Sequence, residues 1–161
     1  MISPFKAAAT ALMIASSAAG FAHAADENNV AAGLTAAGAP LGLHGSDPVA
    51  LIEIGNRVEG RADYTVVEDG VAYYFATKAN MNAFKKNPDR YLPQNGGFCT
   101  FGVSVGKKFD GDPQYAAVRD GKLYVFLNED IFRNFQKDEA GTIAKAEKNW
   151  QKIQHTAATD L

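Results

Sequence analysis

Cysteine is scarce in this chain: Cys99 is the only one among 161 residues. An intrachain disulfide needs two cysteines and a multi-thiolate zinc, copper or iron–sulfur site needs several, so both are excluded within one chain. An excess of one charge is also missing, since 16 basic and 18 acidic side chains give a net charge of -2. This balance argues against nucleic acid as a partner. With 47% hydrophobic and 21% charged residues, the composition predicts one globular domain.

Long apolar runs are limited to the N-terminus, where Lys6 is the only charge before Asp26 and an Ala-rich run covers residues 7–22. The run ends in Ala22-His23-Ala24, the small-x-small pattern that signal peptidase cleaves. We therefore predict that residues 1–24 are a cleaved signal peptide and that the mature protein is periplasmic or secreted. An uncleaved anchor is the alternative, but the run is shorter than the roughly 20 residues that span a bilayer, so we expect no stable membrane insertion.

The rest of the chain divides by composition. Residues 25–40 are rich in Ala, Gly and Asn and predict a flexible leader, 41–153 form the domain, and 154–161 are a tail. Within the domain, the short apolar run Val49–Ile54 lies between an Asp-Pro and a Gly-Asn pair. This pattern is typical of a strand.

The chain resembles itself after a shift of 51 residues, which overlays residues 64–86 on 115–137 with eight identities in 23 positions. Both copies contain an Asp-Gly pair, Asp69-Gly70 and Asp120-Gly121, between alternating runs. Asp-Gly supplies the positive φ angles of a two-residue type I′ turn, so each copy predicts a β-hairpin. Coincidence between two ordinary hairpin–helix units remains an alternative to duplication.

The two-residue turns also predict which residues face each other across the strands. The expected pairs are Val66 with Tyr73, Tyr64 with Phe75, Ala117 with Tyr124, and Tyr115 with Phe126.

A helix is predicted after each hairpin, because Thr77 and Asn128 are good N-cap residues. Residues 142–153 place apolar side chains at three- and four-residue steps, which predicts an amphipathic helix packed on the domain. The fold class is therefore α+β: a small single domain with two hairpin–helix units of antiparallel strands and a C-terminal helix.

Between Leu41 and Trp150, a series of short motifs resembles the YHS domain family, in particular its exported single-domain members. In chain order the motifs are Gly45 with Asp47-Pro48-Val49-Ala50, Tyr74-Phe75 with Asn80 and Phe84, Asn87-Pro88 with Tyr91, Pro93-Gln94, Gly96-Gly97-Phe98-Cys99, Asp112-Pro113 and Asp120-Gly121-Lys122-Leu123-Tyr124. The resemblance implies an α+β fold and, for some relatives, the handling of copper through cysteine ligands. At the positions of those cysteines this chain has Ala50, Ala76 and Asn80, so thiolate metal binding does not carry over.

Cys99 allows two interpretations. It alternates with Phe101, Val103 and Val105, which predicts a strand with the cysteine on its buried apolar face. The alternative is a reactive thiol with His44 as its base.

These observations define the candidate residues. For ligand binding they are His44, Asp47, Asn80, Tyr91, Gly96, Gly97 and Cys99. His44, Asp47 and Cys99 are also a candidate site for copper or another soft metal ion. The predicted function is that of an exported binding protein for a small ligand, a metal ion or a protein partner, without catalysis of its own. The alternative is a thiol-dependent redox protein or enzyme that uses Cys99.

Overall fold

The computed structural model describes residues 26–161, which form the predicted α+β fold. The helices and strands in chain order are α1 (Pro48–Ile54), β1 (Arg61–Glu68), β2 (Val71–Phe75), α2 (Lys78–Lys86), α3 (Thr100–Ser104), β3 (Asp112–Arg119), β4 (Lys122–Phe126), α4 (Glu129–Lys137) and α5 (Glu139–Ile153). None of the helices in this described part is long and apolar enough to cross a membrane. The predicted signal peptide, residues 1–24, lies outside the described residues.

Both predicted hairpins are confirmed. Strands β1 and β2 form one antiparallel sheet, and β3 and β4 form another. Asp69 and Gly70 have φ angles of 47° and 77°, and Asp120 and Gly121 have φ angles of 51° and 73°. These left-handed pairs are what a type I′ turn requires.

The predicted strand pairing holds only near the turns. Val66 lies opposite Tyr73, as Ala117 lies opposite Tyr124. The pairing of Tyr64 with Phe75 is wrong, because the register shifts between Arg61 and Thr65 and Phe75 pairs with Arg61 instead.

The second hairpin breaks its register in the same way. Phe126 pairs with Asp112 rather than with Tyr115, and the shift falls between Asp112 and Ala116. An irregularity of this kind places unequal numbers of residues opposite each other, so a register counted from the turn fails beyond it.

The predicted strand at Val49–Ile54 is wrong, because these residues belong to helix α1. The Asp47 side chain accepts hydrogen bonds from two amides of the first turn, and Pro48 occupies the first helical position. Gly55 ends the helix with a left-handed φ of 69°. The Asp-Pro and Gly signals are thus a helix start and stop.

The predicted strand through Cys99 is also wrong, since helix α3 begins at Thr100. Alternation over so few residues does not distinguish a strand from one helical turn. Tertiary contacts settle the choice: the Asn149 side chain on α5 donates hydrogen bonds to the carbonyls of Val103 and Ser104. The predicted burial of Cys99 is confirmed, with 1% of the residue exposed.

The two hairpin–helix units are alike over more than the predicted interval, and we call residues 41–86 the first unit and 93–137 the second. Before α1, three consecutive residues, Leu43–Gly45, have φ angles of 49°, 49° and 77°. Before α3, Asn95, Gly96 and Gly97 have φ angles of 54°, 60° and 77°. Asp47 and Cys99 then occupy corresponding N-cap positions.

The C-terminal helix α5 packs on the domain as predicted, although it begins at Glu139 rather than at residue 142. The Asp138 side chain caps it by accepting a hydrogen bond from the Gly141 amide. Buried Ala146 and half-buried Trp150 contact Phe98 and Val103 in one apolar cluster. The helix therefore covers the second unit.

Residues predicted as a flexible leader and a tail are held against the domain. The Asn29 amide donates to the carbonyl of Gly96 at 2.8 Å, and Val30 forms a bridge with Gly42. The described fold thus starts before the predicted boundary at Leu41. Val30 packs against the core, and polar contacts with distant residues, such as the bond from Asn29 to Asp110, add to this; neither kind of contact is visible in the composition of the segment.

Candidate functional site

A cavity of about 420 Å³ opens between the β1–β2 turn, the loop before α3 and helix α5. We call it the Trp150 cleft. Its lining residues are Glu27, Asn28, Asp69, Tyr73, Leu92, Pro93, Gly96, Trp150 and Gln154. The volume lies in the range of small-molecule sites in proteins.

The leader forms one wall of the Trp150 cleft because residue 96 is glycine. A Cβ atom at Gly96 would collide with the carbonyl oxygen of Glu27 and lie 3.2 Å from the Trp150 ring. Gly96 also has a left-handed φ of 60°, which a side chain would strain. Residue 96 therefore determines how closely the leader approaches the loop.

Tyr73 brings a largely buried aromatic ring with a polar hydroxyl to the cleft. Only 3% of the residue is exposed, and its ring packs against Phe84 with the ring centroids 5.4 Å apart. Within residues 26–161 no side chain or backbone group forms a hydrogen bond with its hydroxyl. Burial raises the pKa of Tyr73 far above its ordinary value, and the negative charges of Asp69 and Glu68 raise it further.

Lys108 connects several segments next to the cleft. It is 6% exposed, and its ammonium group lies 5.2 Å from the ring centroids of both Phe98 and Trp150. The same group donates hydrogen bonds to the carbonyl of Asp26 and, at 2.9 and 2.7 Å, to those of Gln154 and Thr156. Burial lowers the pKa of Lys108. One lysine thus joins the leader, the tail and the aromatic side of the cleft.

A second cavity of about 410 Å³ lies beside the first. The two share Pro93, Gly96 and Trp150. Asn95, which is 7% exposed, lines the second cavity, and its side-chain oxygen has no hydrogen-bond partner within the described chain.

Two predicted ligand-binding residues, Asp47 and Asn80, form a hydrogen-bond centre inside the first unit. Asp47 is fully buried, and one of its oxygens accepts from the amides of Val49 and Ala50 at 2.9 and 3.1 Å. The other accepts from the Ala76 amide at 2.8 Å and from the Asn80 side chain at 2.7 Å. Asp47 therefore joins α1, the end of β2 and α2, which is a structural role.

The positions at which metal-handling relatives carry cysteine meet around the same carboxylate. Ala50, Ala76 and Asn80 each donate a hydrogen bond to Asp47. Amide donors and two alanine side chains offer no ligand for a soft metal ion. The residues present here do not fit a copper site.

The candidate metal set of His44, Asp47 and Cys99 is not brought together either. The His44 side chain lies 2.8 Å from Asp110, whose carboxylate also accepts from Asn29 at 2.7 Å. Among residues 26–161, no group of three or more His, Cys, Asp or Glu side chains is placed to hold a metal ion.

Of the remaining predicted ligand-binding residues, Tyr91, Gly97 and Cys99 have contacts within the fold, and Gly96 lines the cleft. The Tyr91 hydroxyl donates to Glu53 at 3.2 Å, and Gly97 is a buried residue of the loop before α3. Burial raises the pKa of the Cys99 thiol, while the backbone amides of Gly102, Leu127 and Phe101 oppose this rise. Of the predicted ligand-binding residues, only Gly96 lines the Trp150 cleft.

Sequence reasoning missed the cleft because its members had been assigned to other roles. The sequence predicts Tyr73 as a cross-strand partner of Val66, Asp69 as a turn former, Trp150 as part of a packed helix and Glu27 as part of the leader. An available signal was Trp150, the single tryptophan, on a helix whose apolar face is narrow. Nothing in the spacing links it to residues 27 or 69.

These elements define a small α+β domain with a cleft at the end of its first hairpin. Residues 54–95, about a quarter of the chain, match the YHS domain family, so the chain carries a YHS domain. The match runs from the end of α1 through the first hairpin and α2 to the loop that lines the cleft. Comparison with curated proteins and with solved structures finds no match.

Proposed function

We propose that this protein is an exported YHS-domain protein that binds a small ligand in the Trp150 cleft, without catalysis of its own. The observation that carries the proposal is Tyr73, a residue only 3% exposed that lines a cavity of ligand size and whose hydroxyl has no hydrogen-bond partner among residues 26–161. A ligand that enters the cleft can offer this hydroxyl a hydrogen bond.

The surroundings of Tyr73 support binding rather than chemistry. Pro93, Leu92 and Trp150 supply apolar and aromatic walls, and Lys108 holds the Trp150 side in place. The thiol alternative finds less support, because Cys99 is 1% exposed and burial raises its pKa, whereas a nucleophilic thiol is accessible and has a lowered pKa. His44, the proposed base, is paired with Asp110.

Ligand binding can be tested through Trp150, because it is the single tryptophan and it lines the cleft. We expect at least one member of a panel of cationic, neutral and anionic small molecules to change that fluorescence saturably. Tyr73→Phe should weaken the binding of the same compound. The equivalent change in the second hairpin, Tyr124→Phe, should leave its binding unchanged. A panel without any saturable response would contradict ligand binding in the cleft.

The exported location is part of this proposal. Cleavage after Ala24 would leave intact every contact described for residues 26–30, including the bond from Lys108 to Asp26. We expect the intact mass of the protein from a periplasmic or secreted fraction to correspond to a chain beginning at Ala25. Recovery of the full-length chain from membranes would contradict cleavage.

A further inference from the structure

The lining of the Trp150 cleft has a charge of one sign. Of the nine residues described as lining it, Glu27 and Asp69 are acidic and none is lysine or arginine. Lys108 contacts the Trp150 ring without being one of the lining residues, and three backbone carbonyls hold its ammonium group. The exposed His155 side chain lies 2.6 Å from the Glu27 carboxylate.

The aromatic groups favour the same kind of ligand. The faces of tryptophan and tyrosine rings attract cations, and ammonium heads are recognised in this way. Trp150 already has one such contact with Lys108, at 5.2 Å from the ring centroid. The unpartnered Tyr73 hydroxyl can accept a hydrogen bond from an ammonium N–H, or lie against a methylated head without losing a partner.

We propose that the ligand of the Trp150 cleft is a small organic cation whose ammonium head lies between the Trp150 ring, the Tyr73 hydroxyl and the Asp69 carboxylate. This inference rests on the proposed function and adds the chemical class of the ligand. A neutral ligand would gain the apolar contacts alone, and an anion would face two carboxylates.

Choline and its neutral carbon isostere, in which a tert-butyl group replaces the trimethylammonium head, make a matched pair of probes. They have nearly the same shape and differ in charge. We expect choline to quench or shift Trp150 fluorescence saturably and to bind at least about tenfold more tightly than the isostere, as a cation–π contact with a facing carboxylate predicts. Butyrate serves as the anionic probe and should bind more weakly than either.

The variant Asp69→Asn removes the charge and keeps the turn, because asparagine tolerates the left-handed φ of 47° found there. We expect it to weaken choline binding about fivefold or more and to leave the isostere unchanged. Asp120→Asn is the matched control, since Asp120 has the same turn conformation, with φ 51°, in the second hairpin and does not line the cleft.

The outcomes separate the two proposals. Equal binding of choline and its isostere, or an equal effect of Asp69→Asn on both, would overturn the cationic ligand and leave ligand binding in the cleft standing. Tighter binding of butyrate would do the same. If none of the three probes and no other panel member changes Trp150 fluorescence, both proposals fail.

Discussion

Replacing Asp47 by asparagine tests the hydrogen-bond centre of the first unit while keeping its shape. The new amide oxygen can still accept from the first turn of α1, and Asn80 can rotate its own amide to offer an oxygen. The Ala76 N–H, now 2.8 Å from a carboxylate oxygen, would face an NH₂ group and lose its acceptor. One buried unsatisfied donor and the loss of charge-assisted bonds cost about 2 kcal/mol.

Urea unfolding followed by Trp150 fluorescence and far-UV circular dichroism measures this loss. With a slope of about 2 kcal/mol per molar urea, the midpoint of Asp47→Asn should fall by about 1 M. The control is Asp138→Asn, because exposed Asp138 caps α5 through one hydrogen bond and asparagine is an equally good cap. Equal small shifts in both variants would refute a structural role for the Asp47 carboxylate.

Three further predictions concern other parts of the fold. Lys108→Met leaves three carbonyls without their donor, so it should lower the free energy of unfolding by about 2 kcal/mol and speed proteolysis of the leader. Lys107→Met, at the exposed neighbouring position, is the control and should change neither quantity. Gly121→Val should cost roughly 1 to 3 kcal/mol in urea unfolding, because valine resists the φ of 73°, and an unchanged midpoint would contradict the turn. The Arg119 guanidinium lowers the pKa of Glu139, so this pair stabilises the fold above the pKa of an unfolded glutamate and its contribution disappears as pH falls through the folded pKa. Glu139→Gln should therefore lower the urea midpoint at pH about 7 but not at pH about 2, and equal losses at both values would contradict the pair.

The hairpins could be predicted because their signals are local. Asp69-Gly70 and Asp120-Gly121 carry the turn geometry in two adjacent residues, and Thr77 and Asn128 carry the helix start in one. The strand predicted at Val49–Ile54 failed because a seven-residue helix and a short buried strand have the same apolar run. The Asp-Pro pair in front of it was the better signal.

The site could not be predicted because residues far apart in the chain form it. Glu27, Asp69 and Trp150 meet through contacts that hydrophobic periodicity does not report, such as the bond from Lys108 to Asp26 and the bond from Asn29 to Asp110. Periodicity indicates which face of an element is buried, and it does not indicate which polar groups of other elements lie beside that face.

The surroundings of Cys99 in the second unit resemble those of Asp47 in the first. Cys99 occupies the place of Asp47, and the amides near its sulfur, those of Phe101, Gly102 and Leu127, correspond to the amides of Val49, Ala50 and Ala76 around the carboxylate. The counterpart of Asn80, at the third position of α4, is Ile131. The second unit therefore keeps the amide donors of the first and lacks its side-chain donor.

This comparison predicts a favourable coupling between two substitutions. Cys99→Asp alone buries a carboxylate whose oxygens lack one hydrogen-bond donor. Ile131→Asn alone places a polar amide in the apolar cluster that contains Cys99. Each single substitution should therefore destabilise the domain. Together they can form the bond seen between Asp47 and Asn80 at 2.7 Å. A double-mutant cycle in urea should give a favourable coupling of about 1 to 3 kcal/mol. Additive losses would show that Cys99 packs as a small apolar residue and that the resemblance between the units ends at the backbone.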